Sequence, residues 1–172
     1  VRAFGAEVER LSDGDWRVRG AQWRSPDEPI DCGNSGTGAR LLMGAAAGFP
    51  IQATLTGDAS LSSRPMERVL APPRALGASA EGSHLPVTIR GGDLHGIRFV
   101  NEKASAQVTS AILLAGQPAA GALEIVEPAP SRHHSEHLLR AFGCGVPRVR
   151  GVHAVRRRAD RTGPDVATSA DR

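Results

Sequence analysis

Apolar and polar positions alternate around Val8, Trp16 and Val18, which predicts two short strands before residue 20. The period then changes. Gly36-Thr-Gly-Ala-Arg-Leu-Leu-Met-Gly-Ala-Ala-Ala predicts a helix over 36–47, and Ala53-Thr-Leu-Thr predicts a strand. A second helix is expected over 65–76, shortened or kinked by Pro72 and Pro73. Strands at 78–81 and 86–90 lead to a third helix over 104–116, a strand at 122–126 and a fourth helix from Ser131 to Phe142.

One segment recurs. Arg2-Ala-Phe-Gly returns as Arg74-Ala-Leu-Gly and as Arg140-Ala-Phe-Gly, each reading as a helix end capped by a left-handed glycine before a strand. The alternation of strands and helices around these marks gives a βαββαβ rhythm and predicts an α/β lobe built by repetition.

The chain has 172 residues with 40% hydrophobic and 23% charged positions, enough for one packed domain. No apolar run approaches the ~20 residues of a membrane span, so no membrane association is expected. The first residue is Val1, which reads as a chain cut from something longer. Two cysteines, Cys32 and Cys144, make neither a disulfide framework nor a zinc set, which suits the cytoplasm. The net charge of +3 is concentrated at one end: seven Arg and three Asp in residues 147–172 carry +4, leaving residues 1–146 at −1. Aromatic residues are only 3%, so neither a basic body nor stacking platforms speak for nucleic acid. The expected division is a lobe over 1–146 and an Arg-rich tail over 147–172, disordered or aberrant, with a shifted reading frame as one origin.

Candidate chemistry sits at four predicted helix starts, where unpaired backbone N–H groups and the helix dipole favour anions. The first is Asp31-Cys-Gly-Asn-Ser-Gly-Thr-Gly-Ala-Arg40, which lacks the Lys-Ser/Thr of a phosphate loop and can equally be a plain Gly-rich turn. The second is Gly57-Asp-Ala-Ser-Leu-Ser-Ser-Arg-Pro-Met66, where Ser62 or Ser63 is the expected cap and Arg64 offers a planar fork at the helix mouth. The third holds the only lysine, Lys103, followed by Ser105, Ala106 and Gln107. The fourth begins at Ser131, an expected cap, with Arg132 beside it. No thiolate or converging carboxylate set accompanies His133, His134 and His137, and their spacing does not match H-E-x-x-H, so no metal is expected. Taken together, these starts suggest an anionic, hydroxyl-bearing small molecule.

Gly33-Asn-Ser-Gly-Thr-Gly-Ala-Arg40, the segment 57–66, Ala104-Ser-Ala-Gln-Val108 and Ser131-Arg-His-His-Ser-Glu136 together resemble the EPSP synthase (3-phosphoshikimate 1-carboxyvinyltransferase) family of enolpyruvyl transferases, over residues 1–146. The resemblance implies a two-lobed fold of repeated βαββαβ units, of which this chain holds most of one lobe. It implies transfer of the enolpyruvyl group of phosphoenolpyruvate to the 5-hydroxyl of shikimate 3-phosphate with release of phosphate. No cofactor is implied, and the complete protein is expected to be a cytoplasmic monomer. Gly36, Arg64 and Gln107 resemble the phosphoenolpyruvate residues. Ser105, Ala106, Gln107 and Arg132 resemble those for shikimate 3-phosphate, with Asn34 and Arg40 in support.

The chain departs from the family at His133, where many relatives carry Asp, and at Pro73. The family's opening Gly-Ser-Lys-Ser and its second-lobe proton-transfer residues are not in the sequence, so the chain alone is expected to be inactive. Two rival readings are an inert or binding-only remnant and UDP-N-acetylglucosamine enolpyruvyl transferase.

Overall fold

The computed structural model describes residues 1–12, 14–129, 131–146, 148–149 and 152–156. Its strands are β1 Glu7–Arg10, β2 Trp16–Arg19, β3 Ile30–Asp31, β4 Gln52–Thr56, β5 Ser79–Glu81, β6 Val87–Arg90, β7 Arg98–Val100, β8 Ala122–Val126, β9 Arg148–Val149 and β10 Val152–Arg156. The helices are α1 Gly36–Ala47, α2 Ala59–Ser62, α3 Glu67–Leu76, α4 Ala106–Gly116 and α5 His134–Ala141.

Two four-stranded sheets share one design. In the order β3-β4-β6-β5, β3 runs parallel to β4, whereas β6 is antiparallel to both β4 and β5. The order β7-β8-β10-β9 repeats that pattern strand for strand. Each unit therefore runs strand, helix, strand, helix, then a hairpin. The opening strands β3 and β7, two and three residues long, are too brief to show alternation in sequence. The α/β class and the repetition are as expected. The pair β1–β2 matches the hairpin halves β5–β6 and β9–β10 and forms a two-stranded sheet.

The three Arg-Ala-x-Gly marks occupy equivalent places. Gly5, Gly77 and Gly143 have φ of +105°, +119° and +74°, the left-handed region that a side chain rarely adopts. Before each, the arginine turns back to the carbonyl six residues on: Arg2 to Val8, Arg74 to Ala80 and Arg140 to Val146, with Nη2 at 2.7, 2.9 and 2.7 Å. This pins the chain where it leaves a helix and enters a strand.

Between the sheets and helices lies one core, including Met43, Leu55, Leu70, Ile89, Ile112 and Leu123. Three of the six aromatics are stacked: Trp23 lies between Phe4 and Phe49, with ring centroids 4.2 and 4.8 Å away. None of the helices described is long and apolar enough to cross a membrane.

Four local expectations are corrected. Asp58, not Ser62 or Ser63, is a cap: its carboxylate accepts from Leu61 N at 2.7 Å and starts the short α2, so Arg64 and Pro65 lie between two helices. Pro72 and Pro73 do not shorten α3, which reaches Leu76; both rings are buried, so core packing offsets the lost N–H bonds. The third helix begins at Ala106, because Ala104 has φ +44° and cannot open it. The fourth begins at His134, since the Ser131 hydroxyl bonds to Glu127 instead of capping.

The expected boundary at 146 also shifts. β10 pairs with β8 over five residues, from Val152 opposite Val126 to Arg156 opposite Ala122, so the sheet continues into the segment expected as a tail. Strand pairing depends on main-chain hydrogen bonds, which a count of arginines does not reveal. Residues 157–172 of that expectation lie outside the described residues.

Candidate functional site

The site is set by how α1 and α4 pack. Gly44 of α1 lies against Ala111 of α4 so closely that a Cβ would fall 2.5 Å from the Ala111 Cα. One turn on, a Cβ on Gly48 would meet the Ala115 oxygen at 3.1 Å. At the other end, Arg40 Nη1 donates to Gln107 Oε1 at 3.1 Å and Gln107 Nε2 donates to Thr37 Oγ1 at 2.8 Å. The contacts Arg40–Gln107, Gly44–Ala111 and Gly48–Ala115 advance together, so the helices run parallel and their N-termini stand side by side. Both positive dipole ends and both sets of first-turn N–H groups therefore face one region.

Ser35 caps α1, its hydroxyl accepting from Gly38 N at 3.2 Å, while the Asp31 carboxylate accepts from Gly33 N at 2.8 Å and folds the preceding turn. Gly36 is buried between two guanidinium groups: a Cβ there would lie 3.1 Å from Arg40 Nη1 and 3.3 Å from Arg64 Nη1. Arg64 Nη2 donates to Asn34 Oδ1 at 3.0 Å and to Ser60 Oγ at 3.3 Å, which aims its fork across the α1 mouth.

Arg68, a residue that sequence reasoning did not select, adds a third positive charge. Burial first, then Arg68 and Arg64, lowers the pKa of Arg40 from the usual guanidinium range. Among the described residues none of these three arginines pairs with a carboxylate. Arginines elsewhere, such as Arg17, Arg74 and Arg90, do pair with carboxylates; here the positive field is left open.

The second part of the site opens at the mouth of α4. Ala104, Ser105, Ala106, Gln107, Ser131 and Arg132 line one open cavity of about 700 Å³. Ser105 is the N-cap residue of α4 but makes no capping hydrogen bond with its side chain. Arg132 is exposed on the far wall. The structure thus gathers Gly36, Asn34, Arg40 and Arg64 in one cluster and Ser105, Ala106, Gln107 and Arg132 in another. The Arg40–Gln107 hydrogen bond joins them. Sequence reasoning missed Thr37, whose signal was only its place one residue after Gly36, and Arg68, four residues after Arg64.

His133 Nδ1 faces Glu136 Oε1 at 3.3 Å, and among the described residues no three His, Cys, Asp or Glu side chains stand together as a metal site. Cys32, half-buried before the α1 turn, has its thiol pKa raised by burial and then by the Asp31 carboxylate.

The family model for EPSP synthase (3-phosphoshikimate 1-carboxyvinyltransferase) matches residues 1–157. The chain belongs to the EPSP synthase family. It is 51% identical over 150 residues to 3-phosphoshikimate 1-carboxyvinyltransferase of Caulobacter vibrioides, covering 85% of this chain and 34% of that protein. With the protein of that name from Afipia carboxidovorans it shares 46% identity over 179 residues, covering 99% of this chain and 40% of the other. That alignment runs through the Arg-rich segment as well. The solved EPSP synthase of Acinetobacter baumannii superposes with a TM-score of 0.88 at 39% identity, covering 94% of this chain and 38% of that one. The chain therefore spans between about a third and two fifths of the length of these EPSP synthases.

Proposed function

We propose that the chain carries two adjoining anion seats of an enolpyruvyl transferase. Phosphoenolpyruvate sits against Gly36, Arg64 and Gln107, and shikimate 3-phosphate against Ser105, Ala106, Gln107 and Arg132. Asn34 and Arg40 support both seats, Asn34 by holding Arg64 and Arg40 by holding Gln107. The complete protein transfers the enolpyruvyl group to the 5-hydroxyl of shikimate 3-phosphate and releases phosphate.

The observation that carries this reading is the Arg40–Gln107 bond between parallel helix mouths. It sets a cluster of uncompensated guanidinium groups beside a cavity lined by Ser105, Gln107 and Arg132. The residues have distinct tasks. Arg64 holds Asn34 and Ser60 through Nη2 and presents Nη1 to a phosphate or carboxylate, each charge-assisted bond contributing about 1.5–3 kcal/mol. Gly36 keeps the α1 mouth open for close approach of the backbone. Gln107, already oriented by Thr37 and Arg40, stands where the two ligands meet. Holding two reactants in one geometry is itself a large part of what such a site contributes.

General acid and base groups are a separate requirement, since proton transfer needs a side chain within hydrogen-bond reach of the reacting atoms. Among the described residues the cavity lined by Ser105, Gln107 and Arg132 includes no carboxylate, lysine or histidine, and the proposal is that the chain by itself binds without turnover. Calorimetric titration with shikimate 3-phosphate tests the reading: wild type binds, and Gln107→Ala weakens binding about tenfold by removing the bridging amide. Preference for UDP-N-acetylglucosamine over shikimate 3-phosphate in competition would move the assignment to the rival transferase. Absence of binding to either would reject it.

A further inference from the structure

Behind the cavity at the α4 mouth lies a polar cluster with no role in the reading above. Asn101, Thr109 and Glu127 are 4%, 1% and 6% exposed. Polar groups so deeply buried are costly unless satisfied, and here their hydrogen bonds run to one another and to Ser105 and Ser131 of the cavity wall. Asn101 Nδ2 donates to Ser105 O at 3.0 Å, and Asn101 Oδ1 accepts from Ser105 N at 3.3 Å, so one side chain grips Ser105 by both of its main-chain groups. The same Nδ2 donates to Thr109 Oγ1 at 2.9 Å. Thr109 in turn donates its hydroxyl proton to Glu127 Oε1 at 2.5 Å. Glu127 also accepts from the Ser131 hydroxyl, at 2.8 Å on Oε1 and 3.0 Å on Oε2.

The run Ser105–Asn101–Thr109–Glu127–Ser131 is therefore an unbroken relay between the two walls of the cavity. It spans a strained turn: Ala104, between Asn101 and Ser105, has φ +44°, and its N–H bonds to the Asn101 carbonyl at 2.9 Å. An apolar trio would fill the same volume but would exert no directional hold on the Ser105 peptide. Glu127 does not line the cavity; its carboxyl group accepts from the Thr109 and Ser131 hydroxyls and, at 3.4 Å, from the Asn101 amide.

We propose that Asn101, Thr109 and Glu127 are positioning residues that fix the Ser105–Gln107 turn and the Ser131–Arg132 segment relative to each other, so that the α4 mouth and the Arg132 guanidinium meet one anionic ligand. The proposal rests on the reading of this cavity as the shikimate 3-phosphate seat. None of the three touches the ligand. Thr109 is the main joint, because its single hydroxyl serves both neighbours at 2.9 and 2.5 Å, whereas the direct bond from Asn101 Nδ2 to Glu127 Oε1 is longer, at 3.4 Å.

The test compares Thr109→Val, which keeps shape and loses the hydroxyl, with Thr109→Ser, which keeps the hydroxyl, in the full 172-residue chain. Residue-resolved amide hydrogen exchange and titration with shikimate 3-phosphate are read on each. In Thr109→Val the Ser105, Ser131 and Arg132 amides exchange about tenfold faster and shikimate 3-phosphate binds about tenfold more weakly, while exchange at Gly36–Gly38 is unchanged. Thr109→Ser restores both. Unchanged exchange at those three amides, or identical behaviour of the Val and Ser variants, overturns the proposal.

If Thr109→Val does not fold, Ser131→Ala decides. Its half-buried hydroxyl touches only the far end of the relay, so the Arg132 amide must exchange faster and the Ser105 amide must not; an unchanged Arg132 amide overturns the proposal. If wild type takes up no shikimate 3-phosphate, the assignment of the seat fails, and the exchange comparison alone decides the relay.

Discussion

Gly44 packs against Ala111 with no room for a side chain, its missing methyl falling 2.5 Å from the Ala111 Cα. This contact sets the spacing of α1 and α4, and that spacing brings Arg40 within 3.1 Å of Gln107 one turn away in the packed pair. A packing feature of the core thus determines the geometry of the site.

Gly44→Ala must push the helices apart. Overpacking of this kind costs about 1–3 kcal/mol, to be read as a lower urea midpoint with an unchanged slope. Gly145→Ala, where a Cβ meets nothing within 4 Å, should shift the midpoint little. Equal midpoints for the two variants would refute the packing argument.

Gly36→Ala separates folding from binding. The nearest atoms to the new methyl are the tips of Arg40, Arg64 and Leu61, all able to move by the few tenths of an ångström required. The variant therefore unfolds at nearly the wild-type temperature, but its displaced guanidinium groups bind phosphoenolpyruvate about tenfold more weakly. Unaltered binding would show that the α1 mouth is not the seat.

Arg74 and Arg2 make the same turn to a carbonyl six residues on, in different settings. Arg74 also donates to Gly82 O at 3.0 Å and pairs with Glu67 at 2.6 Å, whereas Arg2 bonds to Val8 O alone and is exposed. Arg74→Ala should cost about 2 kcal/mol and Arg2→Ala below about 1 kcal/mol in urea unfolding. The reverse order would count against the equivalence of these turns.

Much of this was legible in the sequence, for identifiable reasons. The limits of α1 follow from Ser35 as cap and an alanine run, and the three glycine caps from a repeated four-residue string. Other features were hidden by competing signals. Asp58 was overlooked as a cap because Ser62 and Ser63 stood nearer the expected helix. β10 was masked by the arginines that surround it, although strand pairing with β8 needs only main-chain groups. Asn101, Thr109 and Glu127 have the composition of surface residues, and only tertiary packing reveals them as buried. The Arg40–Gln107 bond joins positions 67 apart, which no local pattern encodes.

Cys32 gives a pH-dependent readout. Burial and Asp31 raise its thiol pKa, so the folded chain favours the neutral thiol. That contribution to stability is present below the ordinary thiol value of about 8.5 and is lost as pH rises through the higher folded value. At pH 8, Cys32 in the folded chain should therefore react with iodoacetamide more slowly than in the urea-unfolded chain. Equal rates would contradict the stated environment.

The most direct test of two joined anion seats is a pair of amide chemical-shift titrations on the wild-type chain. Phosphoenolpyruvate should shift Gly36, Thr37, Gly38 and Arg64, shikimate 3-phosphate should shift Ser105, Ala106 and Arg132, and both should shift Gln107. Perturbations by either ligand confined to residues remote from both helix mouths, with Gln107 silent, would contradict the account.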